Sequence, residues 1–327
     1  MRSWIVFVVV LLSGCAGLGQ REDQVFKRVS GGQLEPWVSA GEASSVHWPF
    51  AWAAVASYQD ADDPKRKPLE TTADCPNPEA FLIANHWTLW DELPLLRQHD
   101  EPDSVGAKMR AVHLRAEVWS NAQQGRVVVA FGGTAASSLE DWKSNLRWLL
   151  APFHPEDAYS VLSASFMPAF MSAYRARSEA PGGGWLRTAQ LVSTGHSLGG
   201  GLAQRFAYAL RRNQGVPAVH EIFAFDPSPV SGKRESEDWQ EAAKGLTINR
   251  IYNRGEFLAS LRSIFNLYED PPQDEGQTWI DIRYRDGWSW QTLLPSGSVH
   301  AHSMFKLACF MKQHAAIPAS SSSASKP

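Results

Sequence analysis

The chain has no excess of positive charge. Its 31 Lys and Arg stand against 34 Asp and Glu, for a formal net charge of −3, and no long basic run interrupts the balance. That argues against a nucleic-acid partner, whose phosphates demand clustered Lys and Arg. Cysteine is scarce, with three in 327 residues. No Cys/His spacing suggests a metal site, and neither a metal nor an organic cofactor is expected. Bilayer-spanning apolar runs are also missing: the run over residues 5–12 is well short of the roughly 20 residues a membrane helix needs. What remains is 44% hydrophobic and 20% charged, enough for one large domain or two modest ones. Fourteen tryptophans are many for this length. They suit core and groove packing first, and an apolar-substrate or membrane-interface surface second.

The short apolar run has its own meaning. Arg2 precedes it and Leu12-Ser13-Gly14-Cys15 closes it, which fits the h-region of a secretory signal. The closing residues resemble the bacterial lipoprotein signal, in which the cysteine is lipidated and becomes residue one. The resemblance implies acyl chains on Cys15 and a cell-envelope location. Each buried methylene contributes about 0.8 kcal/mol, so two or more chains hold where one is marginal. Ala16 follows rather than Asp, which by the sorting habits of enteric-type bacteria points to the outer membrane, facing the periplasm. Cys75 and Cys309 then sit in an oxidising compartment, where an even pair is able to form a disulfide. Spacing alone does not say whether these two meet. The expected organisation is a signal peptide over 1–14, a lipidated N-terminus and polar, glycine-bearing tether over 15–44, a catalytic domain over 45–315, and a disordered serine-rich tail over 316–327.

Within that domain, residues 126–131, 190–193, 220–225 and 249–252 are short apolar runs bounded by turn residues. A central sheet covered on both faces requires such runs. Helical patterns fall between them. Leu202, Phe206 and Leu210, with Ala203 and Ala207, form one helical face, and residues 166–174 and 239–246 read as weaker helices. Alternation of this kind predicts an α/β fold with a mostly parallel sheet flanked by helices.

One junction carries chemistry. The stretch QLVSTGHSLGGGLAQRFAYAL, residues 190–210, joins a strand to an amphipathic helix through Gly195-His196-Ser197-Leu198-Gly199. By composition alone about one chain in ten of this length would contain Gly-x-Ser-x-Gly, so its setting decides. A strand, a sharp turn with small residues two positions either side of serine, and a helix N-terminus are the parts of a nucleophile elbow. Ser197 is the candidate nucleophile. The helix start behind it offers N–H groups to a developing oxyanion, Leu198 first. A nucleophile needs a base, and the base an orienting acid. Of the histidines after Ser197, His302 is favoured and His300 is the alternative, because both lie in a loop just before a final helix. Glu256, after the 249–252 strand, is the first candidate for the acid, and Asp226, ending the 220–225 strand, is the second. The strand over 126–131 opens into Gly132-Gly133-Thr134, which makes Thr134 the candidate for a second oxyanion donor. Removing such a donor typically costs about 3–4 kcal/mol in the transition state.

Taken together, Phe131-Gly132-Gly133-Thr134, Asp141-Trp142 with Asn145-Leu146, Gly195-His196-Ser197-Leu198-Gly199-Gly200 and the helix over 51–58 resemble the class 3, fungal-type lipases. The resemblance spans about residues 47–312. It implies an α/β-hydrolase fold, Ser197 as nucleophile, Thr134 and Leu198 as oxyanion donors and His302 as base. Three positions depart from the family pattern. Gly132 stands where an arginine is usual, Glu256 stands where an aspartate is usual, and residues 135–140 are too short and polar for an apolar helical lid. Leu146, Trp148, Leu149, Leu150 and Phe153 read as core, with an acyl-contact surface as the other use. The reading is a lipid-anchored serine ester hydrolase acting on lipid acyl esters. Two alternatives stay open: an acyltransferase using the same acyl-enzyme, and a catalytically silent envelope lipoprotein that uses the scaffold for binding.

Overall fold

A computed structural model describes residues 24–58, 69–93, 104–133, 158–210, 215–228, 239–253, 277–284 and 303–316. Among these, the strands are β1 (Gln24–Val29), β2 (Glu35–Ser39), β3 (Thr88–Leu89), β4 (Arg115–Asn121), β5 (Arg126–Gly132), β6 (Gln190–His196), β7 (Val219–Phe225), β8 (Thr247–Asn253) and β9 (Thr278–Tyr284). They form a nine-stranded sheet in the order β2-β1-β9-β8-β7-β6-β5-β4-β3. Strands β5 to β9 are mutually parallel. The β3–β4 and β4–β5 pairs at one side and the β9–β1 and β1–β2 pairs at the other are antiparallel.

The helices are α1 (Ala40–Ala56), α2 (Pro78–Ala84), α3 (Val105–Ala111), α4 (Ala158–Val161), α5 (Met167–Glu179), α6 (Leu198–Ala209), α7 (Trp239–Ala243) and α8 (Met304–His314). A π-turn at Leu162–Phe166 joins α4 to α5. Each central strand feeds both faces of the sheet. Val127, Val129 and Phe131 of β5 join Ile222 and Ala224 of β7 under α4, α5 and α6. Val128 and Ala130 join Phe223 and Phe225 under α1 and α8. This double burial is why those strands read as unbroken apolar runs. The result is an α/β-hydrolase layering of helices, mixed sheet and helices.

The N-terminal boundary differs from the sequence expectation. Residues 24–44, expected within the tether, instead form β1, β2 and the first turn of α1. These outer antiparallel strands bury one face only, so their polar residues imitate a loop. Gly31, at φ 76°, supplies the left-handed residue of the hairpin turn. The expected strands also grow: the 190–193 run extends through His196 as β6. The first helix starts at Ala40, well before residue 51. Its N-cap is a capping box, with Ser39 and Glu42 bonded reciprocally at 3.2 and 3.0 Å.

Helix α1 lies diagonally across the sheet. His47 reaches Tyr284 of β9, Phe50 stacks on Phe223 of β7 at 3.9 Å, and Thr194 of β6 donates to the Phe50 carbonyl at 3.2 Å. At its far end the Ser57 carbonyl abuts Gly132 of β5. Helix α8 packs beside it, and Cys309 of α8 is disulfide-bonded to Cys75, with Cα atoms 5.2 Å apart. The bond fastens the helix following the candidate histidines to the segment before α2. No helix among the described residues is long and apolar enough to cross a membrane.

His47 Nδ1 lies 2.7 Å from the Tyr284 hydroxyl, ringed by Trp37, Phe223 and Tyr284. Burial lowers its pKa from 6.5 to about 3. The unfolded chain therefore binds the proton first, so stability is intact above about pH 6.5 and declines as pH falls toward 3. Between pH 7.5 and pH 5 this amounts to about 2 kcal/mol. Urea titrations of a His47→Gln variant at the two pH values should show that much of the pH dependence removed, whatever the variant's stability at pH 7.5.

Candidate active site

The carboxyl ends of β5, β6 and β7 converge on Ser197. This residue follows β6 and opens α6 with φ 57° and ψ −121°, a conformation that costs about 1–3 kcal/mol for a residue with a Cβ. A serine that opens a helix normally caps it with its hydroxyl. Here the side chain makes no cap bond, and the residue is half-buried at the sheet edge. The turn is held through its backbone instead. Ser197 N–H donates to the Phe225 carbonyl at 3.0 Å, and the Ser197 carbonyl accepts from Gly200 at 3.0 Å and Ser228 at 2.9 Å.

The glycines are steric requirements. A Cβ on Gly195 would stand 2.8 Å from the Phe131 carbonyl oxygen and closer still to the Gly199 backbone. One on Gly199 would run into the same Phe131 carbonyl, and one on Gly200 would stand 2.8 Å from Pro227 Cβ. Strand β5, the elbow and α6 therefore cross at backbone contact. Leu198, half-buried, is the first residue of α6, and its N–H is among the first-turn donors that a helix leaves unpaired.

Two further side chains shape the site, and periodicity gave no sign of either. The Tyr58 hydroxyl, just past α1, lies 2.8 Å from His196 Nδ1 and donates to the His196 carbonyl at 3.3 Å. One hydroxyl serves both when Nδ1 carries the proton. The same oxygen occupies the space that a side chain at Gly133 would need. Tyr58 thus packs between the elbow and the residue that precedes Thr134. Arg115 of β4 lies directly opposite Gly132 and is buried. A Cβ at 132 would stand 3.0 Å from Arg115 Cβ and 2.8 Å from the Ser57 carbonyl, so the arginine usual at this position in the resembled family has no room.

Of the candidate acids, Asp226 ends β7 beside the elbow. It is buried, sits at φ 40°, and its Oδ1 accepts from the Asn253 N–H of β8 at 3.3 Å. Its carboxylate thereby ties the ends of two neighbouring strands. Thr134, Glu256, His300, His302 and Cys15, with residues 135–157, lie outside the described residues. Among the described residues no cluster of three or more His, Cys, Asp or Glu is placed to hold a metal ion.

This geometry coincides with a family match. Residues 128–265 match the class 3 lipases. The matched segment runs from β5 through the elbow and past β8, and takes in Thr134, Ser197, Leu198, Asp226 and Glu256. It ends before His300 and His302. The elbow lies at the centre of the matched segment, and the match supports a carboxylic-ester hydrolase. Among solved structures the chain is similar to a Rhizomucor miehei lipase propeptide complex, at 15% identity over 86% of this chain and 83% of that one, with a TM-score of 0.47. It is also similar to a fungal lipase-inhibitor complex at 14%, over 69% and 73%, with 0.42, and to a nonglycosylated Yarrowia lipolytica lipase at 18%, over 70% and 75%, with 0.33. No curated sequence matches significantly.

Each of the two hydrogen bonds of the Tyr58 hydroxyl to His196 is worth about 0.5–1.5 kcal/mol. Tyr58→Phe should therefore lower kcat about five- to a hundredfold with KM and circular dichroism unchanged, measured on a soluble ester. Gly133→Ala, which forces backbone to move, should lower it further.

Proposed function

We propose that the chain hydrolyses lipid acyl esters through an acyl-enzyme on Ser197. The observation that carries this is the Ser197 backbone, held at φ 57° between three close-packed glycines with its side chain not used as a helix cap. In the reading, Ser197 Oγ attacks the ester carbonyl carbon while His302 takes the hydroxyl proton. The tetrahedral oxyanion is held by the Leu198 and Thr134 N–H groups. On collapse the carbonyl–alkoxy bond breaks, and the alcohol leaves with the proton from His302. Water, activated by the same imidazole, then releases the fatty acid and restores Ser197.

Glu256 orients the imidazole in this scheme. Asp226, whose Oδ1 accepts from the Asn253 N–H, is the alternative acid. The anchor belongs to the same proposal: acylation of Cys15 would hold the enzyme at the bacterial envelope, next to its substrates.

A fluorophosphonate probe should label the wild type and leave Ser197→Ala unlabelled, with p-nitrophenyl ester hydrolysis falling by about 10⁶-fold. A folded wild type that neither takes the probe nor cleaves the ester would overturn the reading. Removal of an orienting acid leaves binding intact and reduces kcat by as much as about 10⁴-fold. Glu256→Gln should follow that pattern with an unchanged melting temperature. Asp226→Ala should lower the melting temperature instead, because it removes the acceptor that ties β7 to β8 and leaves an ordinary side chain at φ 40°.

A further inference from the structure

The first strand records the side from which the chain joins the sheet. Gln24 of β1 pairs with Ser39, and Phe26 pairs with Arg283 near the end of β9. Following the register across, Tyr284 lies opposite Asn253, and Ile251, Phe225 and His196 lie abreast. Gln24 therefore stands at the carboxyl edge of the parallel strands, the edge from which Ser197 emerges. Strand β1 then runs away from that edge, and its hairpin turn with β2 lies at the opposite end of the sheet.

Distances along this edge are short. From β1 to β6 the order β1-β9-β8-β7-β6 is four strand spacings, about 19 Å. Helix α1 gives the same scale independently. Its 17 residues, about 25 Å of helix, lead from the Ser39 cap beside Gln24 to Tyr58 at His196. Eight residues lie between Cys15 and Gln24, nine backbone steps, so the Cys15 backbone is confined to within about 30 Å of Gln24 whatever path the chain takes. Going back to the other end of the sheet would use about 23 Å of that reach, the length of a seven-residue strand such as β6.

We infer that the anchor and the nucleophile share one edge, so that acylated Cys15 turns the Ser197 site toward the bilayer that holds it. The substrate is then an acyl ester of that same membrane, attacked in cis. This rests on the ester-hydrolase reading and on acylation of Cys15. Tethering on this edge raises the local concentration of membrane ester at the site without any new contact.

The test uses the full chain, acylated in a bacterial host and reconstituted into phosphatidylethanolamine/phosphatidylglycerol vesicles. A fluorogenic phospholipid is placed either in those vesicles or in separate ones, and a soluble butyrate ester serves as control. Expected is hydrolysis about a hundredfold faster in the enzyme's own vesicles than in the others. A 20-residue proline-rich insertion after Gln20, which extends the reach by about 60 Å, should remove most of that advantage and leave butyrate cleavage unchanged. Equal rates in the two vesicle populations, an insertion without effect, or an unacylated Cys15 by mass spectrometry would each overturn the inference while butyrate cleavage persists. If Ser197→Ala and wild type are equally inert on butyrate, it is the hydrolase reading that has failed.

Discussion

The crossing of three backbone segments at Ser197 is the constraint on which the site depends. Strand β5 ends against α6 so closely that the Phe131 carbonyl occupies the space of any Cβ on Gly195 or Gly199. Because no side chain separates them at this crossing, the end of β5 and the Ser197 turn are fixed relative to each other by main-chain contact there. The strain stored in the Ser197 dihedrals persists because hydrogen bonds to Phe225, Gly200 and Ser228 over-determine the turn. A turn held in this way needs little reorganisation when a ligand binds against it.

Helix α1 extends that constraint across the molecule. Its cap is continuous with β2, its middle rests on β9, β7 and β6, and its end meets Gly132. It therefore braces the outer strands, where the chain enters, against the inner strands that carry the elbow. Pinning α8 to residue 75 through the disulfide adds a second brace on the same face. Opening a covalently closed loop of 234 residues would free a large chain entropy in the unfolded state, about 5 kcal/mol in the loop-closure model.

The parts legible in the sequence were those whose burial is two-sided. Strands β5 to β8 appear as apolar runs because helices cover both faces, and the elbow appears because its glycines have fixed spacing around Ser197. Strands β1, β4 and β9 carry charges inside the sheet, and charges read as surface. Asp281 of β9 shows why. It is buried and flanked in register by Arg28 of β1 and Arg250 of β8, with the Arg250 pair at 2.7 Å. Arg28 lies 253 residues away in the chain, so no local pattern betrays the pairing that makes burial of that carboxylate tolerable. Residues 24–29 read as part of a tether for the same reason, since Lys27 and Arg28 interrupt the apolar Val25, Phe26 and Val29 of β1.

Gly132 carries the same lesson into the site. Compared position by position with the family pattern, a glycine in place of arginine looks like lost support for the oxyanion turn. In the sheet, residues opposite each other on an antiparallel pair project to the same face, and the residue opposite Gly132 is Arg115. A guanidinium stem from the neighbouring strand thus fills the volume that a side chain at 132 would claim, and the turn stays packed with the arginine moved one strand across. Substituting arginine back at 132 would place two cationic side chains in one buried slot against the Ser57 carbonyl. The glycine is therefore required by the Ser57 carbonyl and the Arg115 side chain together.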